Sequence, residues 1–386
     1  MSRIHSHINT AISLLKKYPA GQPFAGYARK FFSTEKKYGS KDRKAITQYC
    51  YHYFRTSLLW KEISEQTIAR SYFLCSTVDN GTVETYLPEM APHIAEPAAA
   101  KAGLLGIDIR EVFPYTNLLS EEVEADAFIQ SFLQQPDLFL RVRPGKNSTV
   151  ETALNQAGIE FIKENDQALR LKNAAGLDDK LALNKDVVVQ DLSSQQVFDT
   201  VPAALEQKEK YSVWDCCAAS GGKSILLHDV LGKKLDLTVT DIRQPILDEL
   251  KKRLSTANIP ISVMQVLDLQ KTMPDHFTSR FDVVICDAPC TGSGTWARTP
   301  EQLASFRPKQ VQQYAEKQKN IALHALYGVK PGGVFIYITC SVFGAENEPI
   351  AAEIGHRLEL VDQRYIKGYD RGADTMFVAV YRKPLA

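Results

Sequence analysis

The sequence predicts an α/β protein whose second half is a parallel sheet with helices on both faces. Three observations carry that expectation. From about Val187 onward, short and nearly continuous apolar runs alternate with amphipathic helical stretches, the pattern of strands buried on both sides. The first of the longer runs ends in a glycine-bearing loop, Gly221-Gly222, that opens a helix. Acidic residues then stand at the ends of later runs, at Asp241, Asp268 and Asp287, which is the edge where such a sheet holds its ligand.

At 386 residues the chain is long for one core, and the patterning divides it into three parts. Residues 1–130 read as a helical domain. Ile8, Ile12 and Leu15, and later Ile46, Tyr49 and Tyr53, recur at helical spacing with lysines between them. Residues 71–130 give only mixed helix, with an acidic stretch at 121–126. Residues 131–186 read as a small α+β unit, with strands at 138–142, 159–162 and 168–171 and a short helix at 150–157. Residues 187–386 form the larger α/β part. Its strands are expected at 212–216, 237–241, 263–267, 281–286 and 333–339, and its helices at 195–204, 223–230, 245–257 and 302–327.

The net charge is +1 but unevenly placed: residues 1–70 hold 13 Lys/Arg against 4 Asp/Glu, leaving the remainder acidic. That fits an anionic partner at one end, such as a phosphate backbone, or a solvated helical face. Tyr27-Ala28-Arg29-Lys30-Phe31-Phe32 and Tyr51-His52-Tyr53-Phe54-Arg55 fit either an aromatic core stripe or a surface on which bases stack. With 44% hydrophobic and 24% charged residues the composition is that of a soluble globular protein, and no apolar run approaches the roughly 20 residues of a membrane helix. Residues 1–17 carry no secretory pattern. The seven cysteines are odd in number and irregularly spaced, which argues against a disulfide framework and for a reducing, cytoplasmic setting. Neither CxxC nor HExxH occurs, so no metal site is expected. A monomer is the expected state.

The loop Asp215-Cys216-Cys217-Ala218-Ala219-Ser220-Gly221-Gly222-Lys223 combines small residues with a helix N-terminus, letting backbone come close to a ligand. Asp241 follows Gly222 by the spacing at which a carboxylate meets ribose hydroxyls in nucleotide-binding sheets. Asp241, Asp268 and Asp287 on one edge would repel one another unless donors satisfied them, and a nucleoside with ribose hydroxyls and an exocyclic amine supplies donors. Two other loop types fit less well. A phosphate-cradling Walker loop would place its first glycine at Cys217, and the dinucleotide pattern Gly-x-Gly-x-x-Gly is absent. A purely structural loop is the remaining alternative.

Two cysteines end successive strands: Asp287-Ala288-Pro289-Cys290 and Thr339-Cys340-Ser341. A lone strand-end cysteine is usually inert and buried. A pair beside Asp287 and the nucleoside loop points instead to thiol chemistry.

These motifs resemble the RNA cytosine-5 methyltransferases of the NOL/NOP2/Sun family, related to the 16S ribosomal RNA enzyme, over about residues 187–383. Val189-Gln190-Asp191-Leu192-Ser193-Ser194-Gln195 looks like the family's entry motif, and Cys217 through Lys223 resembles its cofactor loop. Asp287–Cys290 and Thr339–Ser341 resemble its fourth and sixth motifs. The resemblance implies a Rossmann-like class I methyltransferase domain preceded by a NusB-like RNA-binding helical domain and a small α+β subdomain. It implies Cys340 as nucleophile and Cys290 as the residue that assists product release. Cys217, Ala218, Ala219, Ser220, Gly221, Gly222, Lys223, Asp241, Asp268 and Asp287 would surround S-adenosylmethionine, with Lys223 near the catalytic pocket. Arg298, before Thr299-Pro300, stands where the family has a basic RNA contact. The strand order usual in methyltransferases would set both cysteines in one cleft. Carbon 5 of cytosine is a poor nucleophile until a thiolate adds at carbon 6, and Asp287 is the candidate acid for N3. Ribosomal RNA is the expected substrate, transfer RNA the next. The chain departs from the family at Ser220, where proline is usual, and at Ala297, a frequently basic position. The competing reading is a non-catalytic, RNA-binding ribosome-assembly factor with a vestigial pocket.

Overall fold

The computed structural model describes residues 3–172, 176–232 and 234–385. Its backbone separates into two compact units. One comprises the chain through Leu119 with Glu124–Gln135 and Thr295–Pro308; the other comprises Ser120–Val123, Pro136–Gly294 and the chain from Lys309 onward.

The first unit is helical among the described residues. Its main helices are Arg3–Lys17, Phe24–Thr34, Ser40–Thr56 and Glu65–Cys75. Each buries one stripe: Ile8, Ala11 and Leu14 from the first, and Ile46, Tyr49, Cys50 and Tyr53 from the third. Ser64 caps the fourth, accepting from the Thr67 N–H at 3.3 Å. The aromatic stripes belong largely to this core. Phe24 meets Tyr18, Tyr51 and Phe54 edge-on at ring separations of 5.0–5.4 Å. Arg55 is itself buried, donating to the Phe132 carbonyl and the Gln135 side chain, so it is not a surface cation for phosphate.

The second unit holds two sheets. Strands β1 (Leu138–Val142), β2 (Ile162–Lys163), β3 (Ala168–Leu171) and β4 (Val187–Val189) form an antiparallel sheet in the order β2-β3-β1-β4. The helix Asn147–Gln156 covers it with Val150 and Leu154. The larger sheet contains β5 (Lys210–Asp215), β6 (Lys234–Asp241), β7 (Val263–Val266), β8 (Phe281–Asp287), β9 (Val329–Thr339), β10 (Glu359–Lys367) and β11 (Thr375–Arg382). Its order is β10-β11-β9-β8-β5-β6-β7. The five strands from β9 to β7 are parallel, and β11 and β10 run antiparallel along one side.

The two sheets are joined by charge. Arg141 and Arg143 on and just after β1 both pair with Asp229 on the helix Gly222–Leu231, at 2.5 and 2.8 Å. Arg143 also donates to the Ala257 carbonyl at 2.7 Å. Chain order reverses between β5 and β8, so the carboxyl ends of those strands frame a cleft.

Several expectations are corrected. The large sheet is mixed, because β10 and β11 add an antiparallel side. The helix expected at 302–327 is two helices, Glu301–Ser305 and Lys309–Ala325, interrupted by Pro308, whose ring disfavours helical geometry in the preceding residue. The helix expected at 195–204 is reduced to the turns Leu192–Gln195 and Val201–Ala204. The strand expected at 159–162 is the two-residue β2. No helix among the described residues is long and apolar enough to cross a membrane.

Candidate functional site

The first strand of the parallel set, β5, delivers the loop. Trp214 Nε1 donates to Thr240 Oγ1, which donates to the Cys216 carbonyl, each at 3.0 Å, locking the ends of β5 and β6 together. The chain then turns through Ala219 (φ 44°) and Gly221 (φ 82°), both left-handed, before the helix Gly222–Leu231 begins. A side chain at Gly221 would also press on Leu250 at 3.3 Å. The first turn of that helix presents N–H groups with no intrahelical acceptor. Ser220 accepts from the Arg253 guanidinium at 2.9 Å, which tethers the turn.

The three acids stand at the carboxyl ends of β6, β7 and β8, and each already has a donor within the protein. Asp241 accepts from the Arg243 backbone and side chain and from the Ala219 N–H, four bonds of 3.0–3.1 Å. Burial alone would raise its pKa; the Arg243 side chain and these N–H groups hold it below the ordinary carboxylate value. Asp268 accepts from the Gln270 N–H and pairs with Lys271 at 3.4 Å. Asp287 pairs with Lys223 at 3.3 Å, and Lys223 also donates to Ser194 Oγ at 3.0 Å. Protein donors therefore relieve the repulsion among the acids, and their grouping does not by itself require a ligand. Since Asp241 has its four acceptor positions filled, a ribose hydroxyl must displace the Arg243 side chain, which is 57% exposed and free to swing.

One buried acceptor is left over. Asp215, at the end of β5, gives one oxygen to Ser224 Oγ at 2.7 Å, while Oδ1 has no partner. Burial, opposed by the Ser224 bond and reinforced by the charge of Asp287, pushes its pKa up to about 7. An unsatisfied acceptor, a left-handed glycine and free helix N–H groups in one loop fit a ligand that carries donors and a carboxylate.

The cysteines meet. Cys290 Sγ and Cys340 Sγ lie 3.3 Å apart, both half-buried. The adjacent Cys340 sulfur, then burial and the charge of Glu346, push the Cys290 thiol well above its ordinary pKa. Either sulfur can donate the hydrogen bond between them. The Gly294 N–H donates to the Cys340 carbonyl at 2.8 Å, tying the two loops at a second point. Cys216 and Cys286 are buried within the sheet.

Not every expected site residue falls in this group. Cys217–Lys223, Asp241, Asp268, Asp287, Cys290 and Cys340 all stand on the carboxyl edge of the large sheet. Arg298 belongs to the helical unit, through the segment Thr295–Pro308. Sequence reasoning also missed Ser194 as a partner of Lys223, the open acceptor on Asp215, and a buried polar network around Glu346 and Asn347. The nearest signal was the string of polar residues soon after Cys340.

Residues 202–371 match the family model described as 16S rRNA methyltransferase RsmB/F. Among curated proteins, the chain is 28% identical over 230 residues to the probable ribosomal RNA small subunit methyltransferase B of Bacillus subtilis, covering 58% of this chain and 51% of that one. It is 30% identical over 173 residues to the mitochondrial tRNA (cytosine(34)-C(5))-methyltransferase of Danio rerio, covering 42% of this chain and 47% of that one. The alignments span about half the length of these relatives. Among solved structures, NSun6 from Pyrococcus horikoshii with SFG shares the fold at a TM-score of 0.61 and 16% identity, over 70% of this chain and 96% of that one.

Proposed function

Over residues 202–371 the chain is a member of the NOL1/NOP2/Sun family of S-adenosylmethionine-dependent RNA methyltransferases, and from that premise we propose that it methylates carbon 5 of a cytosine in RNA through a covalent cysteine adduct. The observation that carries this reading is the 3.3 Å approach of Cys290 and Cys340 at the carboxyl edge of the sheet, beside the Asp287–Lys223 pair.

In this mechanism Cys340 is the nucleophile. Its thiolate adds to carbon 6 of the base, with the Cys290 sulfur 3.3 Å away. Asp287 is the residue assigned to N3 of the base, and the Lys223 ammonium stands 3.3 Å from it. Addition makes carbon 5 electron-rich, and S-adenosylmethionine, when bound, supplies an electrophilic methyl group. Loss of the carbon 5 proton to water then restores the ring double bond and expels Cys340 as a thiolate, and Cys290 is the residue assigned to assist that release. Cys217–Lys223 and Asp241, Asp268 and Asp287 are the residues that would hold the methyl donor, with Asp215 Oδ1 as a further acceptor beneath the loop.

Ribosomal RNA is the substrate favoured by the relative in Bacillus subtilis, with transfer RNA second. The three-domain division at 130 and 186, an RNA contact at Arg298, and a monomer in the reducing cytoplasm, where free thiols persist, complete the proposal. The test is transfer of a labelled methyl group to cellular RNA, followed by bisulfite sequencing for 5-methylcytosine. Cys340→Ala must abolish the label. If the label appears on a base other than cytosine, or survives in Cys340→Ala, the reading is wrong.

A further inference from the structure

Six residues beyond Cys340 lies a carboxylate with no exposure at all, Glu346. Its two oxygens accept four hydrogen bonds. Oε1 takes the hydroxyls of Thr291 (2.5 Å) and Ser341 (2.7 Å); Oε2 takes the Thr291 N–H and the Gln318 amide, both at 2.9 Å. Thr291 directly follows Cys290, and Ser341 directly follows Cys340. Gln318 also donates to the carbonyl of Pro289, on the other side of Cys290, at 3.0 Å. The backbone carbonyl of Glu346 takes the Tyr337 hydroxyl at 2.7 Å. Its neighbour Asn347, equally buried, accepts from Thr339 Oγ1 at 2.5 Å and donates to the Ser341 carbonyl at 2.9 Å, bracketing Cys340. All four partners of the Glu346 side chain are neutral, and all four donate, as an ionised carboxylate requires. A buried charge satisfied only by neutral donors is costly, and such groups are kept where geometry depends on them.

We propose that Glu346 is the positioning residue of the thiol pair: its buried carboxylate bolts the Cys290 loop to the Cys340 strand end and thereby sets the separation of the two sulfurs. The proposal rests on the reading that both thiols take part in the reaction. Position comes from the four bonds. The other titratable groups interacting with Cys290 are Cys340, Tyr314 and Tyr337, and the two tyrosines are themselves pushed up by burial.

The test uses the full chain with Glu346→Gln, which keeps the shape, and Glu346→Ala. One readout needs no methyltransferase activity: the rate at which a mild thiol oxidant such as diamide closes an intramolecular Cys290–Cys340 disulfide, read by mass spectrometry. The oxidant takes up the two electrons and two protons that the thiols lose. The second readout is kcat and the KM for S-adenosylmethionine. Displacing the pair by a fraction of an ångström to an ångström predicts a fall in kcat of about 10- to 100-fold with the cofactor KM little changed. Cross-linking slows at least several-fold in Glu346→Ala. Wild-type cross-linking and kcat in both variants would overturn the proposal. So would loss of cooperative unfolding in both, which assigns Glu346 to stability alone. If the wild-type chain methylates nothing but the cross-linking contrast holds, the proposed function fails while the positioning role stands.

Discussion

Gly294 is a position beside the thiol pair where the addition of one carbon should do large damage. It lies in the loop after Cys290, and its N–H donates to the Cys340 carbonyl at 2.8 Å. A methyl group there would sit 2.2 Å from the Thr375 carbonyl oxygen and 3.0 Å from that of Cys340. Both obstacles are backbone, so neither can rotate away. Reaching an ordinary 3.4 Å contact with Thr375 requires the loop or β11 to move by about 1.2 Å. Gly294→Ala is therefore expected to cost about 1–3 kcal/mol of stability, as overpacking does. A shift of about 1 Å in the Cys340 carbonyl carries the nucleophile with it, so kcat for methyl transfer should fall on the order of 100-fold. The control is Gly26→Ala, in the helix Phe24–Thr34, where an added carbon meets nothing within 4 Å. There the same chemical change should stabilise by about 0.5–1 kcal/mol through helix propensity. Chemical denaturation and single-turnover methyl transfer on both variants give the answer. A Gly294→Ala chain with wild-type stability and rate would refute the packing argument.

Three further expectations concern charge. Removing Asp229 strands Arg141, which is 2% exposed, and Asp229→Ala should lose about 3–5 kcal/mol. Burial would raise the Asp229 pKa, but His228, Arg143 and Arg141 hold it well below the ordinary range. Its contribution is thus present above the unfolded value near 3.8 and lost as pH falls below it, and the variant should lack that acid limb. Asp215 behaves oppositely: with its pKa raised to about 7, stability should fall as pH climbs from about 4 to 7. Asp215→Asn should flatten that window in a denaturation series, and an unchanged slope would contradict the assignment. Asp241→Ala should raise the dissociation constant for S-adenosylmethionine by about 10- to 100-fold in a calorimetric titration, the worth of one or two charge-assisted hydrogen bonds.

What could be read in advance was whatever is local. Strand ends, the left-handed turn at Gly221 and the spacing from Gly222 to Asp241 all follow from contiguous residues, and so does the placing of Cys290 and Cys340 after apolar runs. What could not be read depends on partners distant in the chain. β10 is largely exposed and polar on its outer side, so Glu359–Lys367 shows no apolar run; it exists because β11 pairs with it. Pro308 breaks the helix expected at 302–327, a local signal that the helical periodicity on either side obscured. The acids at Asp241, Asp268 and Asp287 suggested a donor-rich ligand, whereas Arg243, Lys271 and Lys223 supply donors from the protein itself. Glu346 belongs to no motif read from the sequence, and only the fold shows four donors converging on it.

The central claim is the division of labour between the two sulfurs, and trapping the covalent species tests it most directly. Cys290→Ala is incubated with S-adenosylmethionine and substrate RNA, denatured and digested, and the RNA-linked peptide is sequenced by mass spectrometry. The account predicts a stable adduct on the peptide containing Cys340, absent from Cys340→Ala. An adduct on any other residue, or full turnover by Cys340→Ala, would contradict it.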